Sequence, residues 1–413
     1  MKSIGVLVSV VSIALMLTGC ATGHVKTGAI EPRPLGREFV EAEHAVSQDK
    51  AAGRAVMDVP EEITLRDALA LALSRNPELK AFSYEVRAAE ARALQAGLRP
   101  NPELGVEIEE FDRAGEGYAS SEMAISLGQL IELGGKRKWR RQVADTEGEL
   151  AAWDYEERRL NVFAETAKRF TQAIAAERRF ELAKSTVDLA RNLMTTVELR
   201  VEAGKEPKFH ISKAVAEFEL AQLDALEAKS NVAVSRKTLA SMWASDHATF
   251  RSIEGSMDGL AKNLPSIETV KSYLPQNPKM ARRDAELRLR QAALASEKAT
   301  RIPDMEVSLG FLQYEEDGTD ALSFGIGFPL PIFDRNQGGI TAAKYELAKA
   351  EMEMVSIQTA MSVELAEIYA GLVTAQKKAT ILREKVLPAS EKAFSAASEG
   401  YKQGKFGYID VLD

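Results

Sequence analysis

The sequence predicts a mainly α fold with a small β part, built from two similar halves. Asn76-Pro77 recurs as Asn277-Pro278, about 200 residues later, and Gly204-Lys205 recurs as Gly404-Lys405 at nearly the same offset. Each half also combines long helical stretches with two short segments of alternating apolar and polar residues. A period this long suits a duplicated structural half better than the repeating unit of a solenoid.

Each half begins with a helix that leads into two strands. Thr64 is a plausible N-cap, with Asp67 in the capping-box position, and Asn76-Pro77 is expected to break or kink the helix that follows. Apolar residues then alternate with polar ones in two segments of the first half and in two segments at equivalent places in the second. The predicted strands span about 103–111, 120–130, 304–314 and 321–330.

A long helix follows each pair of strands. Residues 138–200 contain no proline and only one glycine, Gly148, so at ~1.5 Å per residue they predict a rod of roughly 95 Å. The second rod, about 340–400, carries apolar residues spaced three and four apart, which predicts a coiled-coil seam, and Pro388 is expected to kink it. Two shorter helices of the first half, one on each side of the strands and rod, are expected to stack end to end along the first rod.

These patterns divide the chain into five parts. A signal peptide and a polar linker precede the first repeat, and a connector rich in Ser, Asp and Gly separates the repeats. The predicted boundaries are 1–19, 20–60, 61–243, 244–266 and 267–413.

The N-terminus resembles a bacterial lipoprotein signal. Lys2 is followed by an apolar stretch from Ile4 to Leu17, too short to span a bilayer as a mature helix, and then by Cys20, the only cysteine. The resemblance implies lipidation at Cys20 and, because Ala21 follows, an outer-membrane location with the body in the periplasm. The alternative is a buried free thiol, which would need a packed core that the small residues after Cys20 do not offer.

Alternating segments of about ten residues with a polar turn match transmembrane barrel strands. Four strands cannot close a barrel, and open edges in lipid would leave backbone groups unpaired. Three copies of the chain would supply twelve strands, so we expect a homotrimer in contact with outer-membrane lipid. Two soluble hairpins packed on the helices are the alternative.

The composition argues against several other functions. The net charge is −8 and no basic stripe with interleaved aromatics is visible, which disfavours a nucleic-acid partner. Gly134-Gly135-Lys136 lacks the other residues of a P-loop, and the four histidines are too scattered for metal-ligand spacing. We therefore expect no enzyme activity, no cofactor and no resident metal site.

The order of elements and one motif resemble the TolC family of outer-membrane efflux proteins, over about residues 61–413. The motif is the segment from Tyr401 to Asp413, which is similar to the Tyr-x-x-Gly and Asp-Val-Leu-Asp signature at the periplasmic tip of those tubes. The resemblance implies that Asp410 and Asp413 ring a closed pore entrance, with Tyr401 and His210 beside it. Without the resemblance, the two acids would be solvated residues in the first turn of a helix.

The segments 129–137 and 328–338 resemble the strand-to-helix turns of the cobalt-zinc-cadmium branch of that family. The resemblance implies a passive exit duct for metal cations, which docks a periplasmic adaptor protein through the turns at Gly204, Lys205, Gly404 and Lys405. An inner-membrane resistance-nodulation-division pump would supply the energy. His210 stands where other members carry an acid, so the contact between the halves is expected to be pH-sensitive.

Three alternatives stay open at this point. Drug efflux and type I secretion use the same kind of tube, and a periplasmic coiled-coil lipoprotein without a pore would share the signal and the rods. The chain also ends at Asp413, whereas the first half continues as helix to about Trp243. We therefore expect either a fragment or a tube that lacks its last helix.

Overall fold

The computed structural model describes residues 59–109, 122–255, 257, 264–314, 318–405 and 407. Within these ranges the chain is mainly helical, with a four-stranded sheet at one end of a layer of long helices. The first-half elements are β1 (Glu62–Ile63), α1 (Leu65–Arg75), α2 (Pro77–Ala96), β2 (Glu103–Glu109), β3 (Glu122–Ile131), α3 (Lys136–Glu202), α4 (Phe209–Ala240) and a 3-10 turn (Ser241–Trp243).

The second half repeats the order of helix, two strands and long helix. Its elements are β4 (Ser252–Ile253), α5 (Ile267–Lys271), a 3-10 turn (Leu274–Gln276), α6 (Pro278–Thr300), β5 (Met305–Tyr314), β6 (Thr319–Gly327), α7 (Gln337–Ile381), a π-helical turn (Leu382–Val386) and α8 (Leu387–Lys402). β6 begins two residues before its predicted start at 321 and ends three residues before its predicted end at 330. The strand ends early because Pro329 and Pro331 supply no amide hydrogen for a longer strand.

The first helix boundary forms as the sequence predicts. The Thr64 hydroxyl accepts a hydrogen bond from the Asp67 amide (3.2 Å), and the Asp67 carboxylate accepts one from the Thr64 amide (3.1 Å). Asn76 ends α1 and caps α2, its side chain accepting from the Glu78 and Leu79 amides. Asn277 caps α6 by accepting from the Lys279 amide. The break predicted at Asn76-Pro77 is confirmed.

Both predicted rods are present. α3 has 67 residues and is therefore about 100 Å long. In the second rod a π-helical turn lies immediately before Leu387-Pro388. Pro388 has no amide hydrogen, so the carbonyl four residues earlier loses its α-helical partner, and the wider turn accommodates this loss. The predicted seam along this rod is mostly exposed in the single chain, although Met361 is buried.

The long helices lie side by side in the same order as the strands. α2 packs on α3, α3 packs on α6, and α6 packs on α7. α1 and α4 also lie along α3, and α1 meets the 3-10 turn that follows α4, so the two shorter stretches stack end to end as predicted.

The main hydrophobic core lies at this junction, near the middle of α3. There β1 and β4 form a two-stranded parallel pair that the sequence did not predict. The apolar residues of this core include Ile63, Leu71, Val162, Phe170, Leu239, Trp243, Phe250 and Ile253.

Candidate channel wall and turn tip

The four-stranded sheet is antiparallel throughout, in the order β2-β3-β5-β6. Its central pair runs in register from Glu122 opposite Tyr314 to Ile131 opposite Met305. β2 and β6 are the two edge strands: within the described residues, β2 pairs only with β3 and β6 only with β5. The outer edge of each therefore has backbone groups available for a further strand.

One face of the sheet is apolar from edge to edge. Side chains on this face alternate with those on the other face, as the pleat requires. Most of the apolar side chains on this face are exposed. Toward the strand ends, Gln129, Gln313 and Asp320 share this face. Its centre consists of Leu104, Val106 and Ile108 on β2, Met123, Ile125 and Leu127 on β3, Val307, Leu309 and Phe311 on β5, and Leu322, Phe324 and Ile326 on β6.

The opposite face is small and polar at its centre. Gly105 lies opposite Ser126, Ser126 opposite Gly310, and Gly310 opposite Ser323, so glycine and serine alternate across all four strands. A Cβ on Gly105 would lie 2.7 Å from the Ser126 hydroxyl oxygen, so the pairing leaves no room for a larger residue there without a shift.

The same face carries exposed carboxylates. Glu103 and Glu107 are on β2, and Glu306 is on β5 with one carboxylate oxygen over Gly128. None of the three forms an ion pair with a described residue. Leu130, Leu312 and Tyr314 also share this face, toward the ends of the strands. A sheet with one apolar and one polar face suits a wall between lipid and water.

The two strand-to-helix junctions use left-handed backbone conformations. Between β3 and α3, Gly134 and Gly135 have φ of 68° and 73°, and a Cβ on Gly134 would lie 2.9 Å from the Cβ of Ile302. Between β6 and α7 the residue in this conformation is Asn336 (φ 56°). Its side-chain Nδ2 donates to the Glu297 backbone carbonyl (2.9 Å). Glycine and asparagine are the residues that adopt the left-handed conformation most readily.

An ion pair ties the first junction to the second half. The Lys136 ammonium lies 2.8 Å from Asp304, which also accepts from the Leu133 amide (3.0 Å). Arg140 donates to Glu132 and to the carbonyls of Ala96 and Leu98. The hydrogen bond with Glu132 raises the pKa of the Arg140 guanidinium above its usual value.

At the other end of the helical layer, α3 and α8 finish in identical turns. Gly204 (φ 73°) donates to Val201 and Lys205 to Arg200, while Gly404 (φ 75°) donates to Tyr401 and Lys405 to Gly400. Both are Schellman motifs, in which glycine adopts the left-handed conformation. Gly204, Lys205, Gly404 and Lys405 thus occupy equivalent places, and we name this region the turn tip.

At the turn tip a cluster of side chains, which we name the tip clamp, joins the two halves. Arg200 donates to the Tyr401 carbonyl (2.6 Å), and its guanidinium lies 4.5 Å from the centre of the Tyr401 ring. Arg200 also donates to Glu206 (3.2 Å), whose other carboxylate oxygen lies 2.7 Å from His210 Nδ1. The side chains of all four residues are largely buried.

The Tyr401 ring completes a small core below the clamp. Tyr401 is 1% exposed and packs with Val197 and Ala214 of the first half. Two predicted tip residues, Tyr401 and His210, thus belong to one connected cluster. Sequence reasoning missed Arg200 and Glu206, although their spacing of four and two residues around Gly204 placed them beside the predicted turn.

Several predicted features lie outside the described residues, namely Cys20, Asp410 and Asp413. In the part of the chain that is described, no group of three or more His, Cys, Asp or Glu side chains could hold a metal ion. Nor is any described helix both long enough and apolar enough to cross a membrane.

Comparison with known families identifies the class of protein. The outer membrane efflux protein family model matches residues 68–245 and 269–413, so the chain belongs to that family. The family prediction made from the sequence is therefore confirmed, and so is the mainly α fold with a small β part.

Two curated relatives are similar over most of the chain. One is the cobalt-zinc-cadmium resistance protein CzcC of Cupriavidus metallidurans, 33% identical over 92% of this chain and 91% of the relative. The other is the nickel-cobalt-cadmium resistance protein NccC of Alcaligenes xylosoxydans xylosoxydans, 29% identical over 72% of this chain and 67% of the relative.

Solved structures show the same fold at lower identity. The chain matches CusC with a TM-score of 0.72 at 16% identity, over 84% of both chains. It matches the outer membrane protein VceC of Vibrio cholerae with a TM-score of 0.69 at 18% identity, over 84% of this chain and 88% of that one.

Proposed function

We propose that this protein is the outer-membrane channel of a tripartite efflux system, and that it is a passive exit duct for heavy-metal cations such as cobalt, zinc or cadmium. The observation that carries the proposal is the two-faced sheet with two open edges at one end of a layer of long helices. Three copies would close it into a twelve-strand barrel and leave no backbone unpaired in lipid.

The proposal that the substrate is a metal cation is supported by the curated relatives and by the charges on the sheet. CzcC and NccC are both named for resistance to divalent metals. Glu103, Glu107 and Glu306 would face the lumen of the closed barrel, and a carboxylate-lined pore favours cations over anions. A duct of this kind needs no resident metal site, because the cation only passes through.

The remaining assignments complete the assembly. The turn tip would contact a periplasmic adaptor through Gly204, Lys205, Gly404 and Lys405, and an inner-membrane resistance-nodulation-division pump would supply the energy. The adjoining segment with Asp410 and Asp413 would narrow the entrance, and lipid on Cys20 would anchor the chain in the outer membrane.

The tip clamp would hold the entrance closed. Arg200 and Tyr401 come from opposite halves, so their contact opposes any movement of α8 away from α3. The hydrogen bond between His210 and Glu206 adds a contact on the first-half side. An opening movement would have to break these contacts or carry all four residues together.

The function is tested by growth of a strain that lacks its own outer-membrane metal duct and carries this gene. Zinc, cobalt, cadmium and drug gradients are run in parallel. Rescue of metal tolerance alone is the expected result. Rescue of drug tolerance alone would reassign the substrate, and a correctly located protein without rescue would favour protein secretion or a structural role.

The barrel is tested separately by two adjacent substitutions on opposite faces of β6. Phe324→Arg places a charge on the apolar face, which costs about 2–4 kcal/mol per copy near the bilayer midplane, whereas Ser323→Arg points into the lumen. We expect Phe324→Arg to be missing from the outer-membrane fraction and Ser323→Arg to insert. Equal insertion of both variants would contradict a barrel with this orientation.

A further inference from the structure

A short apolar segment follows β6, at one open edge of the sheet. Residues 328–333 read Phe-Pro-Leu-Pro-Ile-Phe, and we name them the proline segment. Phe333 is 88% exposed, and Phe328, Leu330 and Ile332 are each more than half exposed. Two prolines restrict the backbone, so these side chains are presented with little freedom to fold back. Rigid, exposed aromatic residues of this kind are typical anchors of protein interfaces.

The topology places this segment opposite a particular part of a second copy. Strand order and helix order agree: β2 and α2 form one edge of the chain, and β6 and α7 form the other. Because the sheet is antiparallel, β2 begins and β6 ends at the same end of the sheet. If β6 pairs with the β2 strand of the next copy, the residues after β6 lie beside the residues before β2.

The residues before β2 form a cleft of about 520 Å³ between the end of α2 and the start of α3. Its apolar lining includes Ala96, Leu98 and Pro100, and Leu98 is half exposed. The cleft thus offers an open apolar surface at the same level as the proline segment.

One pair of opposite charges also matches between the two edges. The cleft is lined by three arginines, of which Arg92 pairs with Glu85 and Arg140 with Glu132. The third, Arg99, is exposed and forms no ion pair with a described residue. On the other edge, the exposed Asp334 directly follows Phe333, and the exposed Arg335 comes next and donates to the Ile332 carbonyl (3.4 Å). A contact that buries Phe333 against Leu98 would bring Asp334 toward Arg99.

We propose that the proline segment of one copy packs into the α2–α3 cleft of the next copy, with Phe333 as the anchor and Asp334 toward Arg99. The contact is heterologous, joining one edge of the chain to the other, so it repeats around a closed ring. This inference rests on the proposed trimer. It names the residues that would join the end of the barrel in one copy to the helices of the next copy.

The arrangement is tested by cross-linking in membranes. Phe333→Cys and Leu98→Cys are combined in one chain and treated with a short bismaleimide. Covalent dimers and trimers on a denaturing gel are expected. Leu98→Cys combined with Leu322→Cys is the matched control: Leu322 is also strongly exposed but lies near the opposite end of β6. The control and each single variant should give no product.

A second measurement asks whether Phe333 contributes to association. Phe333→Ala should raise the dissociation constant of the detergent-solubilised trimer on the order of 30-fold, as loss of an interface anchor does. Leu322→Ala should leave this constant unchanged. Equal effects of the two variants would overturn the proposal.

The outcomes separate this inference from the proposed function. A wild-type protein that is never trimeric would refute the trimer itself. A trimer that forms without Phe333–Leu98 cross-links would overturn only the packing proposed here. In that case, a spin label attached at position 333 would be used to test for contact with lipid acyl chains. Such contact would show that the proline segment faces lipid.

Discussion

Removing the Tyr401 ring should release the turn tip while leaving the rest of the chain intact. Tyr401 is 1% exposed and packs between Val197 and Ala214, with the Arg200 guanidinium 4.5 Å from its ring. Truncation of a buried aromatic residue to alanine costs about 3–5 kcal/mol, and each 1.4 kcal/mol is tenfold in an equilibrium constant. Local opening of the tip should therefore become at least about 100-fold more frequent in Tyr401→Ala.

Hydrogen exchange followed by mass spectrometry measures this opening peptide by peptide. Peptides that cover the end of α3 and the Gly204 turn should lose protection in the variant, because they pack against the missing ring. Peptides of the main core around Leu71 and Val162 should keep theirs. Leu199→Ala is the matched control, since Leu199 is on the last turns of α3 but is mostly exposed.

A loss of protection below threefold in Tyr401→Ala would refute the reasoning, because it would mean that the ring does not hold the halves together. So would an equal loss in Leu199→Ala. If protection falls as expected, single-channel conductance of the same variant then asks whether the loosened tip is also more often open.

Three further predictions concern the wall, a junction and the clamp. Glu103→Gln combined with Glu306→Gln should lower the preference for cations, measured as a reversal potential in asymmetric salt, whereas Asp320→Asn on the other face should not. Gly134→Ala should lower the thermal midpoint of the protein, because a Cβ there would lie 2.9 Å from the Ile302 Cβ and the backbone φ is 68°. Glu206→Gln should raise hydrogen exchange at the turn tip about tenfold, since it weakens charge-assisted hydrogen bonds in a largely buried site.

Much of the fold follows from local signals in the sequence. The capping box at Thr64 and the breaks at Asn76 and Asn277 depend on residues within one turn of each other. The strands follow from a period of two, and the rods from the absence of helix breakers over many turns. The Gly204 and Gly404 turns were visible because a repeated Gly-Lys pair marks both.

Contacts between distant residues left no such signal. Arg200 and Tyr401 are 201 residues apart, and no local pattern indicates that they meet. The β1–β4 pair joins two strands of two residues each, too short for any period to be visible. The π-helical turn before Pro388 is a similar case: the proline predicts a disturbance, but the helix geometry that absorbs it depends on the neighbouring backbone.

The two strand-to-helix junctions differ because their surroundings differ. The β3–α3 junction lies between two central strands of the sheet. A Cβ on Gly134 would lie 2.9 Å from the Ile302 Cβ, so a residue without a side chain is required there. The β6–α7 junction lies at an open edge, where no described residue covers Phe333, so large apolar side chains fit. A duplicated half that only had to connect strand to helix would have no reason to keep such residues exposed. Their presence at this edge agrees with the proposed ring of identical chains, in which β6 would pair with a second copy.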